Sequence, residues 1–233
     1  MAACSNTITA HPIMTPNPLT FVPVALSLLL LTVGCAEDTE MSPVTADTTA
    51  ATAPSTDIYL AALSIEDAQL QVEAPRRLTM HAGYDNQPTF TPDGRALLYT
   101  SVREGQADTY RYTFADSTHR AVTNTPTSEY SPTPHNDGFS VVRVEADGVQ
   151  RLWQFAADGT TPSLLLPGIQ PVGYHAWATP TRVALFVLGE PATLQLTTLG
   201  AGTADTLARN IGRSMHRVPG RSATISFTQY TSD

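Results

Sequence analysis

An all-β fold made of repeated four-stranded sheets is what this sequence predicts, and three observations carry the prediction. From residue 57 onward, short runs of Val, Ile, Leu, Tyr and Phe alternate with clusters of Thr, Gly, Pro and Asp, the pattern of strands and turns. No stretch sustains a 3.6-residue apolar period long enough for a three-turn helix; residues 64–72 come nearest and read equally as the end of a hairpin. The strand pattern also recurs every 41–44 residues. Four short strands in that length make one propeller blade. A four-stranded sheet has two faces to bury, and stacking twisted sheets side by side buries both.

The elements follow in chain order. Residues 1–36 carry no charged side chain, so the formal charge of −8 lies wholly downstream. Residues 21–34 are a 14-residue apolar run. That is short of the ~20 residues that cross a bilayer and suits the apolar region of a secretory signal. Leu31-Thr32-Val33-Gly34-Cys35 resembles the lipobox of bacterial lipoproteins. The resemblance implies a leader over residues 1–35 that is cleaved before Cys35, which is lipidated and becomes the first mature residue. The protein is then expected to be exported and periplasmic, anchored to the membrane through that lipid, or secreted. Residues 36–56 lack aromatic residues, Leu and Ile and are rich in Thr, Ala, Ser and Pro. Such a segment is expected to be a disordered tether, because it cannot offset the entropy of ordering its backbone.

Residues 57–233 hold the repeats, in units near 57–87, 88–131, 132–174, 175–215 and a partial 216–233. Pro88-Thr89-Phe90 leads through Asp93-Gly94 to the strand 96–100. Pro132-Thr133-Pro134 leads through Asp137-Gly138 to 140–144, His175-Ala176-Trp177 to 183–187, and His216-Arg217-Val218 to 224–227. The Asp-Gly pairs at 93–94, 137–138, 147–148 and 158–159 read as turns, with Gly at positive φ, rather than as catalytic or calcium-binding acids. Trp153 and Trp177 read as inter-blade core. Two strands of an opening blade, three whole units and two strands of a closing one make sixteen strands, or four blades' worth. Two arrangements fit this phase. In one, the terminal halves share a blade and close a four-bladed ring; in the other, which the open C-terminal edge favours, the propeller is incomplete by about two units of ~42 residues.

The stretch from Arg77-Leu78-Thr79 through Pro88-Thr89-Phe90-Thr91-Pro92-Asp93-Gly94 to Ser101-Val102-Arg103-Glu104-Gly105 and Asp108-Thr109-Tyr110 resembles the repeat of TolB-like β-propellers. The motif match is strong in this unit and degraded in the next three, where no full Pro-Asp-Gly survives. The resemblance implies an exported bacterial β-propeller used as a binding platform; some such propellers are instead gating domains of serine peptidases.

Composition and motifs limit the chemistry. All 13 basic residues other than His are Arg, and they form no run, so nucleic acid is not an expected partner. Two Cys residues exclude a disulfide framework. Gly212-Arg213-Ser214-Met215-His216 lacks the closing Gly of a nucleophile elbow, and H-E-x-x-H, Cys-x-x-Cys, P-loop and G-x-G-x-x-G motifs are missing. No cofactor is expected. What remains is the funnel formed where the chain enters each innermost strand, and the expected binding residues there are Tyr84, Asp85, Glu129, Tyr130, Tyr174, His175, Met215 and His216. Tyr and His offer amphipathic faces suited to an envelope protein, peptide or carbohydrate ligand. A metal held by His175, His216 and a carboxylate is the enzymatic alternative, beside a fragment of a larger peptidase.

Overall fold

A computed structural model describes residues 55–231. The leader, Cys35 and most of the tether lie outside the described residues. Among the described residues every regular element is a strand. β1 (Tyr59–Leu60) pairs with β4 (Arg76–Arg77), and between them β2 (Leu63–Glu66) and β3 (Gln69–Val72) form a separate hairpin. This hairpin settles residues 64–72 as β, turning through Asp67 (φ 51°) and Ala68 (φ 61°). That two-residue turn matches the twist of the strands it joins.

Three four-stranded antiparallel meanders follow: β5 (Asp85–Phe90) to β8 (Thr118–Ala121) through β6 (Ala96–Arg103) and β7 (Gln106–Thr113). The second runs β9 (Ser128–His135), β10 (Gly138–Val144), β11 (Gln150–Ala156) and β12 (Ser163–Leu164). The third runs β13 (Val172–Trp177), β14 (Arg182–Val187), β15 (Thr193–Thr198) and β16 (Asp205–Arg209). A final pair is β17 (Ile211–Arg217) with β18 (Ile225–Gln229). The strand count is eighteen rather than sixteen because of the β2–β3 hairpin. The pairs β1–β4 and β17–β18 belong to different sheets, so they do not join as one shared blade.

Four apolar clusters lie between successive sheets. Leu97 and Tyr99 of β6 face Ile58 and Leu78 beside the β1–β4 pair, whereas Leu98 between them faces Phe139, Val141 and Phe155 of the next sheet. On β14, Val183, Leu185 and Val187 pack with Val142, Leu152 and Trp177, while Ala184 and Phe186 face Ile211 and Met215. Side chains alternate faces along a strand, and both faces are covered, so the central strands read as continuous apolar runs. Trp177 is buried between the second and third sheets. Trp153 is only half-buried, its indole N–H donating to Glu145 Oε1 at 2.8 Å.

The Asp-Gly pairs are turns, but not all alike. Gly94, Gly148 and Gly159 take φ of 67°, 79° and 82°, with the preceding Asp carboxylate accepting a backbone N–H two residues on. At 137–138 Asn136 takes the left-handed φ (50°) instead, and Gly138 opens β10. It is glycine for space: a Cβ there would stand 2.0 Å from the Phe155 carbonyl oxygen. At Gly159 both constraints act, since a Cβ would stand 1.9 Å from the Val122 carbonyl oxygen of the neighbouring blade. Gly159→Ala is expected to cost at least ~2 kcal/mol, against near-neutrality for an exposed surface change, by urea unfolding.

Candidate functional site

The first strands of the blades, β5, β9, β13 and β17, bound one common space. Gln87, Thr89, Ser131, Thr133, His175 and Arg217 are among the residues lining a cavity of about 420 Å³ there. A second cavity of about 370 Å³ shares Gln87 and Tyr174 with it and adds Tyr84, Tyr130 and Arg213. Together they form the channel side of the blades.

Each of these four strands is interrupted by a register shift. In the first two blades the shift falls at Gln87-Pro88 and Ser131-Pro132, where Gln87 and Ser131 adopt φ of 54° and 55°. Non-glycine residues in that region are strained, and such strain clusters at functional surfaces. The two bulges are tied across the blade interface. The Gln87 Oε1 accepts the Ser131 N–H at 2.9 Å and the Thr100 hydroxyl at 3.0 Å.

The residues expected at the funnel separate into three groups. They lie on strands rather than in loops, except Tyr84, which immediately precedes β5. Asp85 and Glu129 are buried inside their blades and engage arginines of the adjacent strand. Arg103 Nη1 donates to Asp85 Oδ1 at 2.9 Å, and Ser101 Oγ donates to the same oxygen. Arg143 Nη2 donates to Glu129 Oε1 at 3.0 Å, as does Thr125 Oγ1 at 2.6 Å. Burial pushes the Glu129 carboxyl above its ordinary value, opposed by the bonds from Thr123, Thr125 and Arg143. The Arg143 guanidinium also covers the Trp153 ring, 4.3 Å from its centroid. These acids brace the blade, each engaged by an arginine of the adjacent strand.

His175 and Met215 form the second group. Met215 is core, packed with Ala176, Phe186 and Ile211 between the last two sheets. His175 is 7% exposed. Its Nε2 lies 2.7 Å from Ser140 Oγ, the hydroxyl that also accepts the Trp177 indole N–H at 2.8 Å. His135 stacks on Trp177 at 3.5 Å between centroids and donates from Nε2 to the Pro180 carbonyl oxygen at 2.9 Å. Burial, with a smaller contribution from His135, pushes the His175 imidazole down to about 3, so it is neutral. It is an inter-blade pin. His216, by contrast, is exposed, its Nε2 3.2 Å from Ser214 Oγ. Among the described residues no three His, Cys, Asp or Glu side chains converge as a metal would require.

The third group is the tyrosines. Tyr84, Tyr130 and Tyr174, from three consecutive blades, are half-buried and line the second cavity together. Burial first, then the phenols of Tyr174 and Tyr130, push the Tyr84 hydroxyl above its ordinary value, so it stays a protonated donor. Tyr174 is held edge-on to Phe186 at 5.8 Å. Arg213 was absent from the expected residues, yet it is the charged residue lining this cavity. The repeat itself carried a signal: stepping from Asp85 by the repeat's 44, 43 and 41 residues passes Glu129 and Val172 and lands on Arg213.

Stacked four-stranded antiparallel blades whose first strands line a common channel define a β-propeller, and the fold is TolB-like. TolB from Acinetobacter baumannii superposes with a TM-score of 0.51 at 17% identity, over 65% of this chain and 41% of that one. A protein assigned as TolB from Agrobacterium tumefaciens gives 0.53 at 16%, over 64% and 60%. A chain of a nidogen/laminin complex gives 0.53 at 10%, over 67% and 60%. The chain thus spans about two-fifths to three-fifths of the length of these structures, and the likeness is one of fold. No family profile matches the chain, and no curated protein matches it.

Proposed function

We propose that this chain is a non-catalytic, exported β-propeller that binds a ligand at the tyrosine-lined end of its channel. Export rests on the leader-like residues 1–35, with Cys35 as the lipidated residue and the membrane reached through that lipid. The observation that carries the binding reading is the convergence of Tyr84, Tyr130 and Tyr174 on one cavity beside Arg213. Three phenols offer flat apolar faces and hydroxyls, and no Asp or Glu lines the cavity to oppose the guanidinium. An envelope protein, peptide or carbohydrate that presents a carboxylate fits this lining. The metal-dependent alternative has no observation in its favour, because His175 is held by Ser140 inside the blade interface.

The test is calorimetric titration with short acidic, neutral and basic peptides and a neutral oligosaccharide. The acidic peptide is expected to bind, and Tyr130→Ala and Arg213→Ala each to weaken it about tenfold or more. Binding that both variants leave unchanged, or no binding by any probe, overturns the reading.

A further inference from the structure

The chain enters the described fold beside the tyrosine cavity. Thr56 bridges Tyr84 in parallel: its N–H donates to the Gly83 carbonyl oxygen at 2.9 Å, and its carbonyl oxygen accepts the Asp85 N–H at 3.0 Å. Ser55 Oγ also donates to the Gly83 carbonyl oxygen, at 3.2 Å. A parallel bridge aligns the two chain directions, so the residues before Ser55 leave at the end from which β5 starts. Tyr84, Tyr130, Tyr174 and Arg213 stand at that same end of β5, β9, β13 and β17. Arg213 is exposed, and no salt bridge among the described residues includes it. The acids that follow the cavity-lining Val144, Glu145 and Asp147, face Arg151 instead.

We propose that Glu37-Asp38-Thr39-Glu40-Met41 is a built-in occupant of this cavity, which an outside ligand must displace. This rests on the cavity taking a carboxylate, as proposed above. Charge and length select the occupant. Residues 36–54 carry Glu37, Asp38, Glu40 and Asp47 and no Lys, Arg or His, so three of the four acids fall within five consecutive residues. Their charge complements the Arg213 guanidinium, which meets no acid in the cavity lining. Met41 adds a thioether suited to the faces of the tyrosine rings. The stretch from Met41 to Ser55 reaches on the order of 45 Å when extended, and the cavity begins beside its root at Tyr84. A short linker holds its segment at an effective concentration of about 1 mM. A segment with a dissociation constant near ~0.1 mM then occupies the cavity most of the time and weakens an outside ligand about tenfold.

Calorimetric titration of the full chain tests this, with Glu37→Gln/Asp38→Asn/Glu40→Gln as the variant and a peptide of residues 36–45 as the probe. The substituted residues precede the described strands, and an unchanged far-ultraviolet circular dichroism spectrum checks that the fold is kept. The peptide is expected to bind the variant at least ~10-fold more tightly than the wild type, whose own segment competes. Arg213→Ala added to the variant is expected to weaken the peptide at least ~10-fold. No binding of the peptide to the variant overturns the inference, as does equal affinity for variant and wild type. An unrelated acidic peptide separates this failure from that of the cavity. If it binds both proteins alike, the cavity takes acids and only the built-in occupant is lost. If no acidic peptide binds either protein, both readings fall.

Discussion

Arg143→Met is expected to lower the unfolding free energy by about 3–5 kcal/mol, a large share of the ~5–15 kcal/mol typical of a domain. The substitution removes the guanidinium from Glu129, which is fully buried on β9 and already has one carboxylate oxygen without a partner. It also strips the cation from the faces of Trp153 and Phe155. The cost arises from the stranded carboxylate more than from the lost attraction. Glu129→Gln/Arg143→Met is therefore expected to recover most of the loss, and urea unfolding of the two single variants and the double variant measures the coupling. A pH series adds a second readout. The folded value of Glu129 lies above the unfolded one, so its contribution is present in full below the unfolded value and is lost as pH rises through the folded value. Arg143→Met is thus expected to be least impaired at low pH. An Arg143→Met variant as stable as wild type at neutral pH sinks the bracing role of this pair.

Acidification is expected to loosen the seam between the second and third blades through His175. Its folded value is about 3 against an ordinary 6.5, so the unfolded chain takes up the proton first. The stability that neutral His175 contributes is complete above about pH 6.5 and is lost as pH falls toward 3. The slope over that window approaches about 1.4 kcal/mol per pH unit at most. Glu129 and Asp108, whose values are raised by burial, act in the opposite sense at the acid end. The comparison with His175→Gln, which lacks the titrating ring, isolates the His175 contribution. The stability advantage of wild type over this variant is expected to shrink steadily from pH 7 to pH 4. A difference that does not change with pH removes His175 from the account.

The legibility of this protein in its sequence divides along physical lines. Strands are local objects, and the alternation of Val183-Ala184-Leu185-Phe186-Val187 between two covered faces writes itself into composition. Turns are local as well: Asp93-Gly94 needs only its own backbone and a carboxylate two residues away. Ser101 and Arg103, prominent in the repeat motif, converge on Asp85 because residues two apart on β6 share a face. Gly138 shows the limit. Its glycine answers to the Phe155 carbonyl on a neighbouring strand, a contact that its flanking residues do not announce.

The site was half legible for the same reason. Repeat phase placed Tyr84, Tyr130 and Tyr174 near the channel, since all three lie where the chain enters the first strand of a blade. Phase does not say which way a side chain points past a bulge. The bulges at Gln87 and Ser131 shift the register there, while Asp85 and Glu129 turn into their blades toward Arg103 and Arg143. The sequence alone determined the blade architecture and the strand period, both of which depend on neighbours within a few residues. The tertiary structure decided that His175 is a buried, neutral pin beside Ser140, that Arg213 joins the tyrosines, and that Leu63, Ile65, Leu70 and Val72 stand uncovered. Each of these depends on what a neighbouring sheet brings, or fails to bring, to within a few ångströms.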